Sequence, residues 1–172
     1  VKGLYHINAV DCVTQWQVVA SVQAISEAHL LSVIEQMLAQ FPFEILGFHA
    51  DNGSEYVNHK VARLLDKLRI EFTRSRPRHS NDNGLAEAKN GAVVRKEFGY
   101  EHIHRRHAAR FDTYCREYLN PFLNFHRPCL FSTDLLDPKK PGRIRRVYRP
   151  RDAMTPLDKL TSLAEAYRGL RE

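Results

Sequence analysis

Apolar and polar positions fall into short blocks along the first third of the chain. Residues 4–10 (LYHINAV) and 16–22 (WQVVASV) are rich in β-branched and aromatic side chains, which predicts two strands. Only residues 11–15 separate them, so the spacing predicts a hairpin. Ser26 then suits a helix N-cap, with Glu27 in the first turn. Leu30, Leu31, Ile34, Met37, Leu38 and Phe41 follow at helical spacing until Pro42 stops the run. Residues 44–50 form a short apolar run that predicts a buried strand, ended by the turn signal Asp51-Asn52-Gly53. Asn58 suits the cap of a second helix with Val61, Leu64, Leu65 and Leu68 on its inner face, and residues 70–73 predict one more strand.

Residues 74–83 (RSRPRHSNDN) are polar and basic and contain a proline, the composition of a mobile loop. Helical spacing resumes over residues 84–98 and again over 110–126, where Phe111, Tyr114, Tyr118, Leu119 and Phe122 are the expected core contacts. From Phe131 onward Pro, Gly and Arg dominate. Residues 139–151 hold seven Lys/Arg and no acid, which predicts an extended basic arm, and a short helix is expected over 157–170. The succession hairpin, helix, strand, helix, strand, loop, helix, helix describes an α/β chain whose mixed sheet is flanked by helices.

Charge refines that picture. The whole chain of 172 residues carries +6, but residues 1–73 hold 5 Lys/Arg against 8 Asp/Glu (−3), and residues 74–172 hold 21 against 12 (+9). A basic half points to a polyanionic partner, of which nucleic acid is the commonest. The 43% apolar share suits a packed domain. No apolar run approaches a membrane span and no secretory leader is visible, so a cytoplasmic protein without a membrane partner is expected. Cys12, Cys115 and Cys129 are scattered, with no CxxC pair to suggest zinc, and fit a reducing compartment. His102, His104 and His107 do not share one helical face and read as part of the basic surface, while Trp16 reads as core.

Two carboxylates carry chemistry. Cleaving or joining phosphodiesters requires an activated oxygen and charge stabilisation at phosphorus, which two divalent ions about 3.5–4 Å apart supply. Mg²⁺ prefers carboxylate oxygens, with water and phosphate completing its shell. Asp51 closes an apolar strand, where ligands of open α/β sheets gather, although an Asp before Asn-Gly equally starts an Asx turn. Glu87 lies one turn into a helix with Asn90 at i+3 and Gly91 at i+4, although a first-turn Glu equally complements the helix dipole.

Thirty-five residues lie between Asp51 and Glu87. That spacing, with FHADNGSEY around the first and NDNGLAEAKN around the second, resembles the DD(35)E core of retroviral integrases and bacterial insertion-sequence transposases. Ala50-Asp51-Asn52-Gly53-Ser54 resembles the family's [TS]DNG[ST] turn, and Gly84, Glu87 and Asn90 its G-x-x-E-x-x-N helix. The stretch from Tyr118 to Arg127 and the tripeptide Thr155-Pro156-Leu157 resemble its downstream regions, so the likeness covers about residues 3–160.

The resemblance implies an RNase H-like mixed sheet flanked by helices, a core at residues 1–130, and a basic C-terminal extension at 131–172. It implies a transposase or integrase that cleaves DNA ends and transfers strands, with Asp51 and Glu87 as catalytic ligands of two Mg²⁺ (or Mn²⁺) ions. Its partners would be element ends and target DNA, and its assembly a homo-oligomer. Arg74, Arg76, Arg78, Lys89, Asn90, Arg95 and Lys96 are the expected DNA contacts around the site. The family also needs a first Asp on a first strand. Only two strands precede the first predicted helix, so that strand is expected before Val1, with Asp11 the alternative ligand. Two rival readings are an RNase H-like nuclease that cuts without joining and a non-catalytic DNA-binding fragment.

Overall fold

The computed structural model describes residues 3–25, 27–50, 55–74, 84–138 and 142–169. Ser26, expected as a cap, lies outside them, as does the side chain of Asn58. Packing divides the chain into two units, Val1–Val10 with Gln17–Asn120, and Asp11–Trp16 with Pro121–Glu172.

In the first unit, β1 (Tyr5–Val10) and β2 (Gln17–Val22) pair antiparallel in the register Tyr5↔Val22 to Val10↔Gln17. The hairpin predicted from the alternation is present. Every residue of β2 is buried, because helices cover both its faces. The odd positions of β1 turn Ile7 toward a core of Leu30 and Ile34 from α1 (Glu27–Leu38) and Val61 and Leu65 from α2 (Glu55–Lys67). The even positions turn His6 and Asn8 the opposite way, onto α3 (residues 84–98). Such two-sided burial explains the near-continuous apolar run VVASV.

The outer edge of β2 meets side chains instead of a third strand. Asn120 Oδ1 accepts from the Val19 amide at 2.9 Å, and Asn120 Nδ2 donates to the Val19 carbonyl at 3.1 Å and to Gln40 Oε1 at 2.8 Å. Asp112 Oδ1 accepts from the Ser21 amide at 3.1 Å. Both residues lie on α4 (residues 108–126), which packs along the strand. Buried strand edges need such partners, since an orphaned amide or carbonyl costs about 1–3 kcal/mol.

β3 (Gly47–Ala50) and β4 (Glu71–Arg74) pair in parallel. The expected mixed sheet is thus two separate ladders among the described residues, although Ile7 of β1 and Phe48 and Phe72 of the parallel pair pack on one core cluster. Residues 44–50 were expected as a buried strand. Only the last four are strand, Phe48 and Ala50 are half-buried, and Leu46 is exposed, because one face and one edge alone are covered.

Helix α3 begins as an α-helix at Gly84–Lys89, widens to a π-turn at Asn90–Val94, and resumes at Arg95–Phe98 before Gly99 ends it at φ 72°. Helix α4 carries π-turns at Cys115–Leu119 and Phe122–His126. The expected core list is corrected on this helix. Leu119 is buried as expected, and Cys115 and Leu123 join it four residues to either side, whereas Tyr114, Tyr118 and Phe122 are exposed. The exposed aromatics keep the same spacing one residue earlier, so the two stripes differ in the face they occupy and not in their period.

The second unit is built on the antiparallel pair β5 (Cys129–Leu136) and β6 (Ile144–Met154), with a bulge between Leu130 and Ser132. The extended arm expected at 139–151 is therefore, from Ile144 onward, a paired strand with Arg145, Arg146 and Arg151 exposed along it. Trp16 is buried edge-on to Phe125 at 5.6 Å, as a core residue should be. α5 (Pro156–Gly169) starts from a reciprocal cap in which Thr155 Oγ1 accepts from the Asp158 amide and donates to Asp158 Oδ2 at 2.7 Å. Those bonds hold the Asp158 carboxyl below its usual value.

Asn120→Ala is expected to cost about 2–4 kcal/mol in urea unfolding, because both polar groups of Val19 lose their partner in a buried site. His6 supplies a pH effect. Its ring stacks on Phe98 at 4.1 Å, and burial pushes its pKa below 6.5. The unfolded chain then holds a proton that the folded chain lacks, so stability falls as pH drops below 6.5. His6→Phe should flatten that part of the pH–stability curve.

Candidate functional site

The predicted site residues divide by location. Glu87 stands exposed in the first turn of α3. Its helix is fixed to the hairpin from beneath. Gln17 Nε2 donates to Asn8 Oδ1 at 2.8 Å, and Asn8 Nδ2 donates to the Ala86 carbonyl at 3.4 Å. This relay runs from a fully buried strand to the residue before Glu87, so the carboxylate rides on rigid structure while facing out. Asn8 and Gln17 were missed as site-supporting residues. Their signal was present in the period-two pattern of β1, where His6 and Asn8 are polar between apolar odd positions.

The π-turn begins at Asn90, which is half-buried, and the next residue is Gly91. A Cβ at Gly91 would meet nothing within 4 Å, so no packed neighbour inside the protein requires glycine there. π-Turns inside helices are frequent at functional sites. Arg95 and Lys96 are exposed on the same helix. Lys89, expected to face DNA, is instead buried at 9% exposure. It precedes Val93 by four residues on the inward stripe, which takes its stem into the packing. Arg74 is exposed at the end of β4, its guanidinium 5.5 Å from the centre of the Phe72 ring. Asp51, Arg76 and Arg78 lie outside the described residues. The parallel ladder leads to the first of these. His49 Nδ1 and Thr73 Oγ1 are 2.9 Å apart across β3 and β4, two residues before Asp51.

Asp11, the alternative first ligand, is engaged in its own turn. Its Oδ2 accepts from the Thr14 amide at 2.6 Å, the Thr14 hydroxyl at 2.7 Å and the Val13 amide at 3.2 Å. Its backbone amide donates to the Trp16 carbonyl and its own carbonyl accepts from Gln15, whose φ is 58°. This is an Asx turn that closes the hairpin. Among the described residues no cluster of three or more His, Cys, Asp or Glu could hold a metal ion, and His104 Nδ1 accepts from the Arg106 amide at 3.1 Å.

Comparison with known proteins places these observations in a family context. Residues 1–80 match the family model of the integrase core domain, a stretch that includes Asp51 and all four strands of the first unit. The fold is similar to the crystal structure of the catalytic core domain of BIV integrase, with a TM-score of 0.54 at 18% identity over 94% of this chain and 89% of that one. The chain is also similar to an uncharacterized protein, y4rM, of Sinorhizobium fredii (strain NBRC 101917 / NGR234), at 33% identity over 90 residues, which is 52% of this chain and 26% of that protein. No helix among the described residues is long and apolar enough to cross a membrane.

Asp11→Ala should cost about 1–2 kcal/mol of stability, in the range of a lost N-cap-type carboxylate, and Asp11→Asn clearly less, because the amide oxygen still accepts from the turn. Thermal unfolding of the two variants measures the difference, and equal losses would contradict the Asx-turn role.

Proposed function

We propose that this chain is the catalytic core of a DNA transposase or integrase, in which Asp51 and Glu87 hold divalent metal for DNA end cleavage and strand transfer. The observation that carries the reading is Glu87 itself. It is an exposed carboxylate on a helix tied at Ala86 to a hairpin whose second strand is fully buried, next to a π-turn with open space at Gly91. The integrase-core match over residues 1–80, a span that contains Asp51, supports the reading.

The donor chemistry fits. Glu87 offers hard carboxylate oxygens to solvent, and its helix adds the neutral carboxamide of Asn90 rather than a soft sulfur or imidazole donor. Two Mg²⁺ or Mn²⁺ ions, when bound, would supply Lewis acidity at phosphorus and activate the attacking oxygen. The residues of this chain then have separate tasks. Asp51 and Glu87 provide the anionic cradle, and Asn8 and Gln17 keep the α3 backbone in position beneath it. Arg74, Arg95 and Lys96 take up backbone phosphates, joined by Arg76 and Arg78 from the basic loop and by Asn90 at the helix surface. Asp11 is left to its turn. The proposal extends to a cytoplasmic homo-oligomer acting on paired DNA ends, with residues 1–130 as the core and 131–172 as a basic extension.

Metal binding can be read without activity. MnCl₂ should raise the melting temperature of the chain, with about 1.4 kcal/mol of stabilisation at ten times the dissociation constant. Asp51→Asn and Glu87→Gln should each remove that rise. Duplex DNA binding by Glu87→Gln should stay within about two-fold of the parent and weaken with salt by roughly 0.9 log units per log unit of salt for each phosphate contacted. A manganese-dependent rise that survives both substitutions would defeat the assignment of the carboxylates.

A further inference from the structure

A cavity of about 570 Å³ lies in the first unit, away from Glu87, where the end of α3 meets the start of α4. It is lined by Glu97, Phe98, His107, Arg110, Phe111 and Tyr114. Its walls are aromatic. Phe98 and Phe111 have ring centres 5.5 Å apart, and Phe98 and Tyr114 lie edge to face at 6.2 Å. Tyr114 is the most exposed of the three rings, and Tyr118 stacks on it at 6.0 Å. Its rim is cationic. Arg110 is exposed and makes no ion pair among the described residues. His107 takes a hydrogen bond from Arg106 at 3.1 Å, so a second guanidinium stands beside it. Glu97, the one acidic liner, is occupied by the Tyr114 hydroxyl, which is pushed up to about 12 by that bond.

We infer that this cavity binds one unpaired nucleotide of single-stranded DNA, with its base against Phe98, Phe111 and Tyr114 and its phosphate at Arg110 and His107. The size falls within the usual range for small-molecule sites of about 300–1,000 Å³. Aromatic rings beside a positive groove are how proteins hold unpaired bases without reading sequence. A simple anion would not use three rings, and a duplex keeps its bases stacked inside the helix, where a concave site of this size cannot reach them. Neighbouring cations point the same way. Desolvation, then the positive charges of Arg106, His102, Arg105 and His107, hold the His104 imidazole below its ordinary value. The choice of ligand rests on the reading of this core as DNA-processing, and the cavity itself does not.

The test is fluorescence anisotropy of the full chain with labelled oligothymidylate of about ten nucleotides and with a duplex of equal length. Arg110→Gln and Tyr114→Leu should each weaken single-strand binding by about five-fold or more while duplex affinity changes less than about two-fold. Tyr114→Phe, which keeps the ring and loses the bond to Glu97, should retain single-strand binding. Melting temperatures near that of the parent show that the variants are folded. Equal losses on both DNAs would make the rim a general basic face and overturn the inference. So would duplex binding by the parent with no single-strand binding, which leaves the core assignment standing. Binding of neither DNA by the parent would instead overturn the core assignment.

Discussion

The first unit depends on how the edge of one buried strand is closed. β2 has no solvent-facing side, so each outward amide and carbonyl must find a partner inside the protein. The carboxamide of Asn120 supplies one donor and one acceptor to Val19, as a neighbouring strand would, and Asp112 takes the next outward amide at Ser21. Side chains on a helix thereby replace a strand. The sealed edge lets the hairpin stand as a wall with α1 and α2 on one face and α3 and α4 on the other. Its register determines which residues face which layer. A one-residue slip would send Asn8 toward the aliphatic core and Ile7 toward α3. The position of Glu87 follows from that register through Ala86.

Much of this arrangement was legible as periodicity. The hairpin, α1, α2 and the long helices were visible because alternation and helical spacing report burial on one face. The failures have physical causes. On α4 the large aromatic residues looked like the core along with Leu119, but the buried stripe runs one residue later than the aromatics, through Cys115, Leu119 and Leu123. Over residues 139–151, seven cations without an acid suggested an extended basic arm. Yet Thr133 to Leu136 pair with Val147 to Ile144, and Asp134 meets Arg146 at 3.8 Å. The pairing partner lies in a less basic segment, where charge counting along one strand does not look.

The site was legible to a different depth. The spacing of Asp51 and Glu87 and the glycine-bounded turns around them are local features, so a sequence pattern could hold them. The relay from Gln17 through Asn8 is a tertiary feature, since it joins residues 78 positions apart. Asp11 shows why residue type alone misleads. The same carboxylate that could serve a metal accepts three hydrogen bonds from its own turn. Lys89 makes the converse point, because a cation in the expected motif turns inward with the packing stripe.

The uneven charge along the chain fits the proposed chemistry. A carboxylate cradle repels phosphate, and the repulsion between unit charges is about 4 kcal/mol at 4 Å with an effective dielectric of 20. Divalent cations reverse the sign of that field where they bind, but the flanking phosphates still need neutral or positive surroundings. Screening in physiological salt weakens exposed charges with distance, so cations close to the bound phosphates count most. The useful ones must come from elements that flank the carboxylates. Arg74 at the end of β4 and Arg95 and Lys96 on the helix of Glu87 meet that requirement, and all three remain exposed. In the proposed site the −3 half contributes Asp51, and one helix of the +9 half contributes Glu87 together with Arg95 and Lys96.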